Sequence, residues 1–338
     1  MTNYSIGVDL GGTNLRIAAV DECGNLVEKT TLGTQVALGR DRVVNDMCDA
    51  IKSLAAKHRE LGKLLGIGIG VPGIIDMESG MVCESPNLPD WADYPARTEI
   101  ERRLATKVIL ENDANSAAFG EKWLGAAKDV DDMAMLTLGT GVGGGLVLGG
   151  RIWHGMAGMA AEFGHTTVEP DGALCGCGNR GCLEAYASAT AVVRMAREAI
   201  AHGAAGLKGA ASSDAEFNAK AVYNLAIQGD PAARNIFGEV GRAVGIVVSD
   251  IVNALNLPMY VIGGGVSSAW DAFAPAMFKE LAERSMVYAA TSPEPTSGKG
   301  ASGKVHPIGK KKTIVTRALL GSDAGLFGAA RLPLVNGS

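Results

Sequence analysis

Two stretches of this chain share one shape, and that shape narrows the fold class. "YSIGVDLGGTNLRIAAV" runs from Tyr4 to Val20, and "MAMLTLGTGVGGGLVLGGRIW" from Met133 to Trp153. Each is an apolar run, a glycine-rich turn and a second apolar run. Short apolar runs bounded by glycines predict buried strands, and the glycines let the chain reverse tightly. The two stretches share little identity, so the repeat is one of shape. One such hairpin opening each half predicts two related α/β domains facing a shared cleft. The expected boundary gives residues 1–120 and 121–316, with a segment near 317–335 packing back on the first domain.

The chain between and after the hairpins alternates strand and helix patterns, which is the α/β signature. Val43, Val44, Met47, Ile51 and Leu54 recur at helical spacing. "GIGIGVPG" (Gly66 to Gly73) predicts a buried strand ended by Pro72 and Gly73. "KVILEN" (Lys107 to Asn112) predicts another, running into a helix that starts near Asp113. The second half is expected to be mostly helical up to "PMYVIGGGVSSAW", a strand, a glycine turn and a helix. "TIVTRALLGSDAGLFGAARL" predicts a closing strand, turn and helix. Residues 203–217 and 291–312 are expected to be surface loops, the lysine run of the second being a solvated face.

At 338 residues the chain is long enough for two domains with sizeable cores. Its formal net charge of -5 argues against a nucleic-acid surface, which needs a basic footprint. No apolar run is long enough to span a bilayer, and the opening residues predict a strand, not a leader. A cytoplasmic protein is therefore expected. There thiols stay reduced, and clustered cysteines bind metal more often than they pair. Cys23, Cys48 and Cys83 are scattered and are expected to be buried or inert.

"GTGVGG" (Gly139 to Gly144) fits the dinucleotide fingerprint G-x-G-x-x-G. That motif needs a helix after the glycines. Here the apolar "GLVLGGRI" follows, a strand pattern, which disfavours a nicotinamide-dependent dehydrogenase. The P-loop pattern does not occur at these loops. What remains is a pair of turns rich in backbone N–H groups, which bind anions. The first offers Gly11, Gly12, Thr13 and Asn14, with Asp9 at the strand end to hold Mg²⁺. Thr140 and Gly141 match them in the second. Gly263, Gly264 and Gly265 leave room for a base or ribose to lie flat on the chain. Together they predict a site for the phosphates and nucleoside of a nucleotide.

A third feature is local. His165, Cys175, Cys177 and Cys182 make a Cys₃His set with C-x-C-x₄-C spacing, suited to tetrahedral Zn²⁺ with no open position. A closed set predicts a structural metal and not a metal-activated water. Glu162 lies three residues before His165, and Glu184 two residues after Cys182. The metal would hold both carboxylates in place on an irregular segment. Asp113, at a strand-to-helix junction, fits two roles equally: a catalytic carboxylate, or the cap of the helix.

"DLGGTN", "NDANSAAFGE", "GTGVGGG", "AEFGH", "CGCGNRGCLE" and "VIGGGVS" resemble the motifs of the ROK sugar kinases, from Ile6 to about Leu332. "NLPDW" and "EAYASATAVVR" are most similar to the bacterial glucokinases within that family. The resemblance implies the actin-like (ribonuclease H-like, hexokinase-type) ATPase fold. It implies phosphorylation of glucose by Mg²⁺-ATP, with Asp113 as the base. It also implies that Gly73, Asn87, Asn112, Asp113, Glu162, His165 and Glu184 surround the sugar, and that the chain forms a homodimer or homotetramer. The family pattern G-E-x-G-H is altered here, since Ala161 stands before Glu162. The alternatives are the same chemistry on N-acetylglucosamine, N-acetylmannosamine, mannose or fructose, and a sugar-responsive regulator without catalysis. The regulators of the family carry an N-terminal helix-turn-helix domain, for which the residues before Tyr4 leave no room. A non-catalytic zinc module would not need both Asp9 and Asp113.

Overall fold

The computed structural model describes residues 2–210, 216–293 and 311–336. The chain opens with β1 (Tyr4–Leu10), β2 (Asn14–Asp21), β3 (Leu26–Gly33), α1 (Arg40–Lys57) and β4 (Leu64–Val71). Then come β5 (Ile74–Asp76), β6 (Met81–Glu84), α2 (Ala96–Leu104), β7 (Val108–Asn112) and α3 (Asp113–Trp123). The second hairpin is β8 (Met133–Leu138) and β9 (Val142–Leu148), followed by β10 (Arg151–Ile152). Helices α4 (Glu184–Ala187), α5 (Ala189–Ala201), α6 (Ala219–Gln228) and α7 (Pro231–Leu255) lead to β11 (Met259–Gly263). The chain closes with α8 (Trp270–Arg284), α9 (Met286–Thr291), β12 (Ile314–Arg317) and α10 (Ala324–Asn336).

The chain forms two compact units. One holds Met1–Asp132, Gly145–Ala161 and Leu319–Ser338; the other holds Met133–Gly144 and Glu162–Ala318. The division expected at residue 120 falls inside α3. The expected loop at 203–217 contains a short 3₁₀ turn at Ala205–Ala210, and its residues 211–215 lie outside the described residues. Of the loop expected at 291–312, residues 294–310, with Lys310 of the lysine run, also lie outside them.

The sheet of the first unit has the order β3-β2-β1-β4-β7. β2 runs antiparallel to both β1 and β3, while β4 and β7 run parallel to β1. On one face Ile6, Val8, Leu10 and Ile17 are buried with Val43, Val44, Met47, Ile51 and Leu54 of α1, the residues whose spacing predicted that helix. The other face is covered by α10. Gly7 and Gly68 present bare backbone to it: a Cβ on either would lie 2.3 Å and 2.0 Å from the carbonyl oxygens of Leu326 and Ala329. Ala18, Val20, Leu326 and Ala330 make the small core there, and Ser5 Oγ donates to the Ala330 carbonyl at 2.6 Å.

The second sheet has the order β10-β9-β8-β11-β12, with β11 parallel to both β8 and β12. Each sheet thus joins a chain-consecutive trio to two parallel strands, which is the repeat of shape that the two hairpins announce. In the same unit the long helix α7 packs on α8, and its buried residues include Phe237, Val244, Val248 and Ile251.

Candidate active site and metal centre

In the first unit, strand register brings the candidate carboxylates to one edge. Asp9 pairs with Gly70, and Gly70 pairs with Glu111. The ends of β1, β4 and β7 therefore lie level, and the Asn112–Asp113 junction follows directly. Ligands of parallel α/β sheets bind at this carboxyl edge. The turn after β1 is closed by Gly11 N–H donating to the Asn14 carbonyl at 2.9 Å. Thr34 Oγ1 donates to the Gly11 carbonyl at 2.7 Å, and Thr34 N–H to that of Thr13 at 2.9 Å. Asn87 stands next to this turn, since a Cβ on Gly12 would lie 3.4 Å from its carbonyl oxygen.

Asp9 Oδ2 accepts from Arg16 Nη1 at 2.9 Å. Burial raises the Asp9 pKa, with Arg16 opposing the shift and Asp323 adding to it. The reading of the turn did not include Arg16. The hairpin register carries the signal, because Asp9 and Arg16 are direct cross-strand partners.

The two roles open to Asp113 now separate. The cap of α3 is Asn112, whose Oδ1 accepts from Ala114 N at 2.8 Å and Asn115 N at 3.1 Å. Asp113 is the first helical residue, half-buried, with Oδ1 accepting from Ala114 N at 2.9 Å. The capping role belongs to its neighbour. Asn112 Nδ2 donates to the Gly73 carbonyl at 3.1 Å, so Gly73, Asn112 and Asp113 form one group.

In the second unit the two remaining glycine segments come together. β11 pairs with β8 so that Gly263 lies opposite Thr137, and a Cβ on Gly264 would lie 2.5 Å from the Leu138 carbonyl oxygen. The Thr140 carbonyl accepts from Thr190 Oγ1 at 2.9 Å, and that of Gly139 from Ala189 N at 2.8 Å. The start of α5 thus holds the turn from below. Glu184 Oε2 accepts from Val142 N at 2.8 Å. A Cβ on Gly141 would lie 2.4 Å from that oxygen, so a side chain there would push the carboxylate aside. Glu184 therefore ties the cysteine segment to the glycine turn, a link that its flanking position alone did not reveal.

The ligand atoms of His165, Cys175, Cys177 and Cys182 all lie within 4.8 Å of one another. Cys177 and Cys182 Sγ are 3.7 Å apart, as are Cys175 Sγ and His165 Nδ1. A zinc–sulfur bond of about 2.3 Å makes a tetrahedron with edges of about 3.8 Å, so the donor set fits Zn²⁺. His165 turns Nδ1 toward the thiols, which leaves Nε2 on the far side of the ring. Glu184 Oε1 is 3.6 Å from Cys175 Sγ, and Gly164 sits against Val142 of the glycine turn. Glu162 is exposed as a residue, but desolvation of its carboxyl raises its pKa, opposed by His165 and assisted by Glu184. Ala161 adopts φ 66°, the left-handed region that favours glycine. The methyl group costs about 1 kcal/mol there, and Ala161 keeps the kind of backbone turn glycine favours before Glu162. Of the three scattered cysteines only Cys48 is buried; Cys23 and Cys83 are exposed, since their flanks are turn and edge residues.

Among the described residues no helix is long and apolar enough to cross a membrane. Comparison with known families matches residues 5–334 to the ROK family. The chain is 39% identical over 329 residues to the glucokinase of Thermotoga maritima, covering 97% of this chain and 96% of that one. It is 37% identical over 332 residues to the glucokinase of Halalkalibacterium halodurans, covering 97% and 94%. Among solved structures it is similar to a ROK family glucokinase from Streptomyces griseus in complex with glucose and AMPPNP. That likeness has a TM-score of 0.76 and 34% identity, covering 97% of this chain and 98% of that chain. With its two similarly laid-out sheets, its glycine turns and its Cys₃His set, the chain belongs to the ROK family.

Proposed function

We propose that this chain is an ATP-dependent glucokinase, with Asp113 as the base that accepts the 6-hydroxyl proton of glucose. The observation that carries the role of Asp113 is the division of labour at the junction. Asn112 caps α3, so capping does not account for the Asp113 carboxylate, and Asp113 follows Glu111, the β7 residue level with Asp9, at the carboxyl edge of the sheet. Full-length similarity to glucokinases supports the substrate.

Phosphoryl transfer needs little covalent help from a protein; positioning and charge stabilisation carry most of it. In the first unit, Gly73, Asn87 and Asn112 hold sugar hydroxyls, and Asp113 takes the proton as the oxygen attacks the γ-phosphorus. In the second unit, Glu162, His165 and Glu184 supply further sugar contacts, His165 through Nε2. The N–H groups of Gly11, Gly12, Thr13 and Asn14, and those of Thr140 and Gly141, bind phosphate oxygens. Gly263, Gly264 and Gly265 leave space for the nucleoside. Asp9 would hold Mg²⁺, which neutralises charge on the phosphates, while Arg16 keeps its carboxylate in place. His165, Cys175, Cys177 and Cys182 would hold a structural Zn²⁺. The cell compartment is the cytoplasm and the assembly a homodimer or homotetramer in this reading.

The test is initial rates with Mg²⁺-ATP on glucose, N-acetylglucosamine, N-acetylmannosamine, mannose and fructose. The highest kcat/KM is expected on glucose. Asp113→Asn is expected to lower kcat by about 10²–10⁴-fold while glucose still binds by calorimetry. A preference for an N-acetyl sugar overturns the substrate, and a fully active Asp113→Asn overturns the base.

A further inference from the structure

We propose that Glu111 and His154 are positioning residues for phosphoryl transfer, their ion pair gripping the Asn112–Asp113 junction from inside the first unit. The proposal rests on the reading of Asp113 as the base. Glu111 ends the buried part of β7, and its side chain is 2% exposed. A carboxylate at that depth needs strong partners. Glu111 has three. Its Oε1 accepts from the backbone N–H of Asn112 at 2.9 Å and from Asn115 Nδ2 at 3.1 Å. Its Oε2 meets His154 Nε2 at 2.7 Å.

The partners lie on both sides of Asp113. The N–H of Asn112 belongs to the peptide that leads into the cap, and Asn115 lies in the first turn of α3. One carboxylate therefore holds the strand end and the helix start together, and Asp113 is between the two points it holds. Asn115 is committed to this task. It is buried, and its own Oδ1 has no hydrogen-bond partner among the described groups. Another residue would avoid that cost, so the contact to Glu111 is what the side chain serves.

His154 comes from the segment after β10, 43 positions from Glu111, and belongs to the same unit. The hydrogen bond to Glu111 raises its pKa above the ordinary histidine value, with burial opposing. When protonated, the imidazole balances the carboxylate. Removing one member of such a pair leaves the other charged and uncompensated, and the geometry it held relaxes. Misplacement of a reacting group by a fraction of a bond length is enough to slow transfer.

The experiment uses the full chain with Glu111→Gln, His154→Gln and the double variant, each checked for folding by circular dichroism. Each single variant is expected to lower kcat on glucose by about tenfold or more, with the KM for ATP unchanged. The double variant is expected to be no slower than the worse single one, because the residues act as one unit. In wild type the His154 imidazole is expected to titrate above the ordinary histidine value by NMR, and in Glu111→Gln to return toward it. A pair that only stabilises the fold would lower the melting temperature and leave kcat intact. Folded variants with wild-type kcat overturn the proposal while Asp113→Asn remains inactive; if Asp113→Asn is active, it is the base reading that fails. Should Glu111→Gln not fold, His154→Gln, whose side chain is 34% exposed, carries the test.

Discussion

Cysteine ligates zinc as thiolate, and the three thiols of the Cys₃His set start from unequal positions. Burial pushes Cys175 up to about 12 and also raises Cys182. Cys177, which is exposed, is lowered, chiefly by the N–H of Asn179. Cys177 is thus the candidate ligand most readily supplied as thiolate, and the one whose replacement least disturbs packing. Cys177→Ser is expected to lower zinc from one per chain to well under that, measured by elemental analysis of the purified protein. Glucose affinity by calorimetry is expected to fall with it, since Glu162, His165 and Glu184 sit on the same segment. A zinc-free variant with unchanged glucose affinity would separate the metal from the sugar site. The Cys₃His cluster was legible in the sequence because its spacing is short and local. Arg16, Glu111 and His154 were not. A buried pair 43 positions apart leaves no periodic trace, and only strand register brings it together.

At the scale of elements, α3 carries Asp113 at its start, and α10 packs along it. The crossing is tight. A Cβ on Gly328 would lie 1.7 Å from the Ser116 carbonyl oxygen, and one on Gly120 would lie 2.1 Å from that of Ala324. Backbone cannot yield as a flexible side chain can. Gly328→Ala is therefore expected to lower stability by about 1–3 kcal/mol, read from the denaturant midpoint. Because α3 must shift, kcat is expected to fall as well. Gly33→Ala, where a Cβ meets nothing within 4 Å, is the control and should leave both unchanged. An unshifted midpoint in Gly328→Ala would show that the helices separate at no cost. The strongly apolar elements, α1, β1, β4, β7 and β11, were legible as such. β3 was not, because it is half-exposed along its length and its "LVEKTTLG" lacks clean alternation. β5 and β6, at three and four residues, are too short to show a period. The helix in α10 was legible, but the glycines it packs against, Gly7 in β1 and Gly68 in β4, lie hundreds of positions away and could not be matched to it.

At the scale of the whole molecule the chain passes from one unit to the other four times, after Asp132, Gly144, Ala161 and Ala318. A single cut, such as the boundary expected near residue 120, therefore cannot yield two complete units. The last passage matters most for folding. Beyond Ala318, Leu326, Ala329, Ala330 and Leu332 are all nearly inaccessible, against the bare backbone of β1 and β4. The same segment satisfies a buried charge. Glu121, fully buried, accepts from Leu319 N at 3.1 Å, Leu320 N at 2.7 Å and Ala126 N at 2.8 Å. A chain ending at Ala318 would leave that carboxylate with one of those three donors. It would also lose two buried leucines, Leu326 and Leu332, each worth about 1.5–3 kcal/mol when buried. Together with the uncovered sheet, that loss is comparable to the whole stability of a typical domain, about 5–15 kcal/mol. The truncated chain is expected to be insoluble or to unfold without a cooperative transition by circular dichroism. Supplying residues 319–338 as a separate chain in co-expression should restore part of its solubility. A truncated chain that folds cooperatively and phosphorylates glucose would mean that the first unit does not need α10, and that the glycine face of its sheet serves some other purpose.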